Sequence, residues 1–386
     1  MAANECILFG TERRPEIPFG APVREDLIRG FTLLALLPAL AGALLAQTAA
    51  PSKNLDMYWI DVEGGAATLI VAPSGQSMLI DTGWAVGDRD AKRIYAAAQQ
   101  AGLRKIDHLV ISHYHADHVG GLAALSKMIQ IDHVYSRGDE IETANQQWLD
   151  SVKAAAGGRR TIVKAGDTIP VQGVQVLVVA SDGKLLAKPV RGAGPNPLCA
   201  TAEEKAPAGP ENQRMVATLL TYGQFKFLAL IDLDWEKEME LVCPVNRLGQ
   251  LTIYQTGRHG SFDDAGAPAL LGAIRPQAVV MNNGPRKGMG QTDAAKSANP
   301  PGKNVAPYER NAYLRLAGTA GVEDIWQAHL SLIDPDPHHN TAENMIANLE
   351  DTADCKGNWI KATVDRDGKF TVTNGRNGFS KSYVAR

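Results

Sequence analysis

Cysteine is scarce. The 386 residues hold four (Cys6, Cys199, Cys243 and Cys355) and no C-x-x-C pair, which excludes a zinc ribbon and a disulfide-rich scaffold. An excess of either charge is missing as well. A formal net charge of −3 supplies no basic field for nucleic acid, although a local basic site stays open. There is no internal repeat of roughly twenty to fifty residues, and no apolar run reaches the about twenty residues of a membrane span.

The longest apolar run, Phe31 to Ala46, has sixteen residues, is interrupted by Pro38 and follows Arg24 and Arg29. A charged start, a short apolar centre and small residues at Ala46, Ala49 and Ala50 are the pattern of a secretory signal. Residues 1–50 are therefore expected to be a leader and the mature protein to be secreted or periplasmic. The alternative is an uncleaved membrane anchor formed by 31–46. Export would leave three cysteines, enough for one disulfide and one free thiol, with nothing in the sequence to choose the pair. Cys243, in apolar surroundings, reads as a small buried hydrophobe.

From Pro51 onward the pattern is that of an α/β domain. Strands are expected at Leu55–Val62, Ala67–Ala72 and Ser77–Ile80, the last two joined by the Pro73–Gln76 turn. A helix is expected over Asp90–Ala101, then a strand ending at Ile111 and a helix over Val119–Ile129. Further strands fall at Ile131–Tyr135, Val174–Val179, Met215–Thr221, Phe225–Ile231, Leu251–Gln255, Ala278–Met281 and Ile325–Ala328. Helices fall at Thr143–Ala156, Trp235–Val242 (capped by Asp234) and Pro307–Ala317. Ser181–Asn212, rich in Pro and Gly, reads as a long loop, either a lid or a solvated insertion. Residues 54–345 are taken as the main domain, and 355–386 as an appended β-hairpin around Asp367-Gly368.

The chemistry concentrates in one stretch. The apolar strand Leu109–Ile111 stops in Ser112-His113-Tyr114-His115-Ala116-Asp117-His118. Three imidazoles and a carboxylate on a loop fixed by a strand point to a metal site suited to zinc, manganese or iron. Asp81, Asp232 and His259 share the same topological position, just past the end of a strand, where layered α/β folds build ligand sites.

With those residues in view, the chain resembles metallo-β-lactamase-fold metallohydrolases over about residues 55–330. Ile80-Asp81-Thr82-Gly83 stands for their first motif and H-x-H-x-D-H at 113–118 for their second. Within that family it is similar to the extracellular domain of the DNA-uptake channel ComEC, through Asp61–Ala67 and Arg258-His259-Gly260-Ser261. The resemblance implies a four-layer αββα sandwich with one or two Zn2+ ions at its edge, Mn2+ being the alternative. His113 and His115 would hold one ion, and Asp117, His118 and His259 the other. Asp232 would bridge them and Asp81 would orient a ligand. Asp117 and Asp232 are the expected catalytic carboxylates around a metal-activated water.

The chain departs from the family in lacking any histidine between His133 and His259, where many members supply a third ligand to the first ion. Asn212 or Glu211 stands near that place, and His329 at a strand end is a further candidate. Arg258 replaces a histidine of the ComEC-like pattern and suits a phosphate. Arg286 and Lys287, beside Gly284 and Gly288, read as a surface turn, with an anion pocket as the alternative. The expected function is an exported metal-dependent hydrolase of small-molecule phosphate esters or phosphodiesters. The competing readings are a lactone, thioester or β-lactam hydrolase and a non-catalytic binding protein. No membrane-embedded domain beyond the leader is expected, and the sequence carries no signal for oligomeric state.

Overall fold

A computed structural model describes residues 54–260, 264–288, 312–333 and 336–386. The expected leader with its 31–46 segment, and residues 291–306, lie outside the described residues. No helix among the described residues is long and apolar enough to cross a membrane.

The strands, in chain order, are β1 (Leu55–Ile60), β2 (Thr68–Val71), β3 (Ser77–Ile80), β4 (Lys105–Ile111), β5 (Gln130–Ser136), β6 (Arg160–Ile162), β7 (Thr168–Ile169), β8 (Gln175–Ser181), β9 (Lys184–Leu185) and β10 (Gly194–Pro195). They continue as β11 (Ala217–Tyr222), β12 (Phe225–Ala229), β13 (Val245–Asn246), β14 (Ile253–Gln255), β15 (Ala278–Met281), β16 (Asp324–Gln327), β17 (Trp359–Val364), β18 (Lys369–Asn374) and β19 (Ser380–Val384). Two large sheets result. One runs β19-β18-β17-β1-β2-β3-β4-β5-β6, the other β16-β15-β14-β12-β11-β8-β7.

Period-two patterning sorts the side chains. Leu55, Met57 and Trp59 of β1 point into the core between the sheets, while Tyr58 and Ile60 point to the opposite face. On that outer face the first sheet is covered by α1 (Arg89–Gln100), α2 (Ala116–Val119), α3 (Leu122–Leu125) and α4 (Gln146–Ala156), through Ile94, Leu122, Leu125 and Val152. After the four-residue α5 (Pro210–Gln213), the helices α6 (Trp235–Val242), α7 (Pro268–Ile274) and α8 (Ala312–Ala317) cover the second sheet through Leu241, Leu270, Ile274 and Leu316. The order helix, sheet, sheet, helix is the expected αββα sandwich. Each fully buried Leu, Ile or Phe in it contributes about 1.5–3 kcal/mol. A polar tie crosses the core: the buried Gln255 side-chain oxygen accepts from Trp59 Nε1 at 3.1 Å and Thr68 Oγ1 at 2.9 Å.

Four expectations are corrected. The helix at Val119–Ile129 is two short helices beginning at Ala116, because Gly120 and Gly121 press against the loop after β3. A Cβ on Gly121 would lie 2.1 Å from Thr82 O. Ser181–Asn212 is not a featureless loop: β9 pairs with β8, β10 with β13, and Cys199 is disulfide-bonded to Cys243. Cys243 is thus a cross-link and not a free apolar side chain. The C-terminal hairpin forms but is no appendage. β17 pairs antiparallel with β1, β19 adds a third strand, and Ile360, Val364, Phe370 and Val372 enter the inter-sheet core. The alternation Trp359–Val364 carries one apolar face, and a sheet edge was available to bury it. The described residues from 54 to 386 accordingly belong to one compact unit.

Candidate metal centre

Strands β3, β4, β5 and β6 run parallel, as do β12, β14, β15 and β16. Their C-terminal ends gather Asp81, the 113–118 loop, Asp232, His259 and Asn282 at one edge of the sandwich. Several of these residues carry left-handed backbone: Asp81 (φ 61°), Ile231 (φ 53°), Arg258 (φ 51°) and His259 (φ 57°). For a β-branched residue such as Ile231 that is a costly conformation, of the kind that persists where packing holds a functional group in place.

Asp81 organises the edge. It is fully buried. Its Oδ1 accepts from the Ser112 backbone N–H at 2.8 Å, and its Oδ2 from Ser112 Oγ at 2.6 Å. His118 Nδ1 lies 2.8 Å from the same Oδ2, and His113 Nδ1 lies 3.0 Å from Ser112 Oγ. Nδ1 of each imidazole is engaged by Asp81, one directly and one through Ser112, so each turns its Nε2 toward the site.

His118 Nε2 lies 3.3 Å from Asp117 Oδ2 and 3.5 Å from Asp232 Oδ2. His259 Nε2 lies 3.3 Å from Asp117 Oδ2 and 3.3 Å from Asp232 Oδ1. The ligand atoms of these four residues fall within 4.8 Å of one another, and all four residues are buried. His118 Nε2, His259 Nε2 and Asp232 Oδ1 have no hydrogen-bond partner. Orphaned buried donors and acceptors are expensive, and a divalent cation at their meeting point would satisfy all three. The residues fit a metal.

His113 and His115 form the other half. His113 Nε2 and His115 Nδ1 are 2.9 Å apart, and the His113 and His118 rings lie 4.1 Å apart. Burial, then the neighbouring imidazoles, push His113 well below the ordinary histidine value, and His115 is lowered for the same reasons. Both rings are therefore neutral at physiological pH. Burial alone would raise the acids, but His118 and Lys287 hold Asp117 well below the usual carboxylate range, and His259 and His118 do the same for Asp232. Burial opposes protonation of His118, yet the carboxylates of Asp117, Asp232 and Asp81 raise it well above 6.5.

The remaining candidates divide. Glu211 is withdrawn from the site: it accepts from the Tyr114 backbone N–H at 2.8 Å and from Arg137 Nε at 3.2 Å, and forms an ion pair with Arg137. It braces the histidine loop instead. Asn212 beside it is buried, and its Oδ1 accepts no hydrogen bond. Arg258 is held by Asp264 at 2.6 Å and stands 3.6 Å from Asp232. His329 is not brought to this group; it faces Asp61 and Cys355.

Two residues exceed the sequence reading. Arg286 is a surface residue paired with Asp351 at 2.6 Å, as expected of the turn. Lys287 is not: its ammonium forms an ion pair with Asp117 Oδ2 and lies 4.5 Å over the Trp84 ring. The other addition is Asn282, whose side-chain amide is 3.0 Å from His259 Nδ1. Both residues follow β15 at the ligand-bearing edge, and that position was the signal in the sequence.

Residues 60–205 match one protein-family model. It is that of the metallo-beta-lactamase superfamily. The match takes in Asp81 and the histidine loop and ends before Asp232 and His259. The αββα sandwich with its ligands at one edge is the metallo-β-lactamase fold. Over 243 residues the chain is 28% identical to a "UPF0173 metal-dependent hydrolase" of Anaeromyxobacter sp. (strain K), covering 61% of this chain and 76% of that one. Among solved structures, it is similar to the metallo-beta-lactamase fold protein YhfI from Bacillus subtilis, at 9% identity and a TM-score of 0.42, covering 71% of this chain and 96% of that one. It is also similar to CmlA, a diiron beta-hydroxylase from Streptomyces venezuelae, at 14% identity and a TM-score of 0.35. There the match covers 60% of this chain and less than half, 44%, of CmlA.

Proposed function

We propose that the protein is an exported metal-dependent hydrolase acting on small anionic esters, with phosphodiesters and phosphate monoesters as its preferred class. The observation that carries the hydrolase reading is the meeting of four buried ligands, Asp117, His118, Asp232 and His259, three of which present polar atoms with no partner. The names of the relatives and the superfamily match of residues 60–205 agree with it. When bound there, divalent ions supply Lewis acidity and a water acidic enough to ionise near neutral pH.

The chain's own residues do the rest. Asp81 fixes the tautomers of His118 and His113. Asp232 sits between the His118 and His259 nitrogens and would serve as the shared carboxylate. His113 and His115 are the ligands of the first ion, with Asn212 Oδ1 as its candidate third. Zn2+ suits this N/O donor set, and Mn2+ is the alternative.

Substrate class rests on charge. Lys287 lies against Asp117, and Arg258 lies close to Asp232. With Asp117 committed to a metal, the Lys287 ammonium would be free to pair with an anionic substrate group over the Trp84 face. A phosphate, with charge spread over several oxygens, uses both cations best. The ComEC-like stretches Asp61–Ala67 and Arg258–Gly260 favour the same chemistry. The Cys199–Cys243 disulfide supports export to an oxidising compartment.

The test is a substrate panel on the mature chain loaded with Zn2+ or Mn2+: a bis-aryl phosphodiester, an aryl phosphate, a lactone and nitrocefin. The phosphoesters are expected to turn over fastest. Hydrolysis of the lactone or nitrocefin alone would overturn the substrate class. A metal-loaded chain that hydrolyses nothing in the panel would favour the binding-protein reading.

A further inference from the structure

A second group of ligand-type side chains lies away from the centre just described, at the end of β1 and under the C-terminal strands. Asp61 follows β1, His329 follows β16, and Cys355 precedes β17. One ligand atom from each falls within 4.8 Å of the other two. All three residues are buried, His329 completely. We propose that Asp61, His329 and Cys355 form a separate binding site for one Zn2+ ion, which ties the C-terminal strands to the main body of the sandwich.

Four observations carry it. Asp61 Oδ1 accepts from the Glu63 backbone N–H at 2.9 Å, but Oδ2 is buried and accepts no hydrogen bond. Arg93 Nη1 is the nearest cation and stays 3.7 Å from that oxygen. With that long ion pair and no hydrogen bond, the buried carboxylate oxygen is poorly satisfied, and such a group is expensive.

His329 Nδ1 lies 3.1 Å from the Leu330 carbonyl. Only Nδ1–H can donate there, which leaves Nε2 as the nitrogen available to a metal once it gives up its proton. The Nε2 atom faces Cys355 Sγ at 3.9 Å. In a tetrahedral zinc site, Zn–S and Zn–N bonds of about 2.3 and 2.1 Å place those two atoms about 3.6 Å apart. The observed spacing is close to that edge.

The electrostatics also balance. Arg93 is a cation beside the site, but its charge is already matched. It pairs with Glu63 at 3.0 Å and donates to the Asp61 carbonyl at 3.2 Å and the Cys355 carbonyl at 2.6 Å. Binding of Zn2+ releases the Cys355 thiol proton to solvent, and the thiolate and the Asp61 carboxylate together neutralise the ion. Nitrogen, sulfur and carboxylate donors are a zinc set, and Mg2+ or Ca2+ would reject the sulfur. Asn348 Oδ1 already accepts from Asn358 N–H at 2.8 Å and Asn358 Nδ2 at 3.0 Å. It is therefore a neighbour of the thiol and not a ligand, and the fourth position belongs to a water.

Cysteine separates this site from the hydrolytic one in a measurement. The catalytic edge contains no sulfur ligand, and Cys355 is the free thiol among the described residues. The full chain is stripped with a chelator under non-reducing conditions and titrated with Co2+, first as wild type and then as D232A. A thiolate-to-cobalt charge-transfer absorption is expected to saturate near one equivalent in both. C355S is expected to lose it and bind one fewer ion, with hydrolysis retained. D61N should weaken the Co2+ affinity responsible for the band by at least tenfold. Co2+ uptake by the wild type without that absorption would overturn the site, and so would its survival in C355S. Should C355S fail to fold, the wild-type titration alone decides. A failed hydrolase reading leaves this result untouched, because the readout is spectroscopic.

Discussion

The two halves of the candidate metal centre are built differently although one six-residue motif supplies all of one and half of the other. The Asp117, His118, Asp232 and His259 half is closed: its ligands are buried, come from three separated stretches and leave nitrogen and oxygen atoms with nothing else to bind. The His113 and His115 half is open. Its two imidazoles turn to each other at 2.9 Å, and Glu211, which stands nearest in sequence to the missing ligand, is spent on Arg137 and Tyr114. Local sequence spacing can aim two or three side chains at a point. Completing a coordination shell takes residues from remote strands, and here that completion is visible on one side only.

The comparison can be broken most severely at Asp232, which lies 3.5 Å from His118 Nε2 and 3.3 Å from His259 Nε2. Asp232→Ala is expected to lose bound metal and more than 100-fold in kcat/KM, since even outer partners of metal ligands are worth 10–100-fold. A variant retaining full activity and full metal content would show that the site is misassigned.

His113→Ala tests whether the halves are separable. It should release one ion, keep the other on Asp117, His118, Asp232 and His259, and reduce activity by roughly 100-fold. Loss of both ions on metal analysis would mean that the closed half does not stand alone. Asn212→Ala should mimic the same change in stoichiometry if Asn212 completes the open half.

Asp81→Asn sharpens the same contrast, because Asp81 orients His118 directly and His113 through Ser112. Metal affinity and activity should both fall by about 10–100-fold. An unchanged titration would refute the role given to this carboxylate.

Lys287→Ala addresses the substrate. About a tenfold loss in kcat/KM on an anionic phosphodiester is expected, the size of one charge-assisted hydrogen bond. A neutral lactone should be unaffected, and an equal loss on both would leave the anion-binding role without support.

The last prediction lies outside the centre and is read on stability, not on activity. Glu238 is fully buried, accepts from the Ala267 backbone N–H at 2.9 Å, and has its other oxygen unpartnered. Burial pushes its carboxyl from 4.5 up to about 8. Since the folded state holds the proton more tightly, this group's contribution is complete below pH 4.5. It is lost as the pH rises toward 8, by about 1.4 kcal/mol per pH unit within that window. Glu238→Gln should flatten the fall of Tm between pH 5 and 8 while leaving metal content unchanged. An identical Tm profile would show that Glu238 does not titrate in this range.

Much of the architecture was legible because period-two patterning is local. The strands at Ser77–Ile80 and Ala278–Met281, and the helix Trp235–Val242 with its Asp234 cap, sit where the alternation and the cap placed them. The helix after the histidine loop was misread because Gly120 and Gly121 answer to the backbone of Thr82 and Ala85, a constraint from another strand. Lys287 was read as a surface turn for the same kind of reason. Its neighbour Arg286 is one, and only the approach of residues 284–287 to the 63–65 loop turns the lysine inward.

The sequence by itself therefore determined that a cluster of imidazoles and carboxylates would sit at strand ends in an α/β sandwich. That information is carried by spacing within a few residues and by alternation along single strands. Tertiary structure decided what each of those groups faces. It paired Cys199 with Cys243, sent His329 to Asp61 and Cys355 instead of the catalytic edge, and committed Glu211 to Arg137. It also drew the C-terminal strands into the first sheet. Those outcomes depend on which distant segments share an edge, and free energies of burial and pairing over the whole chain select that arrangement.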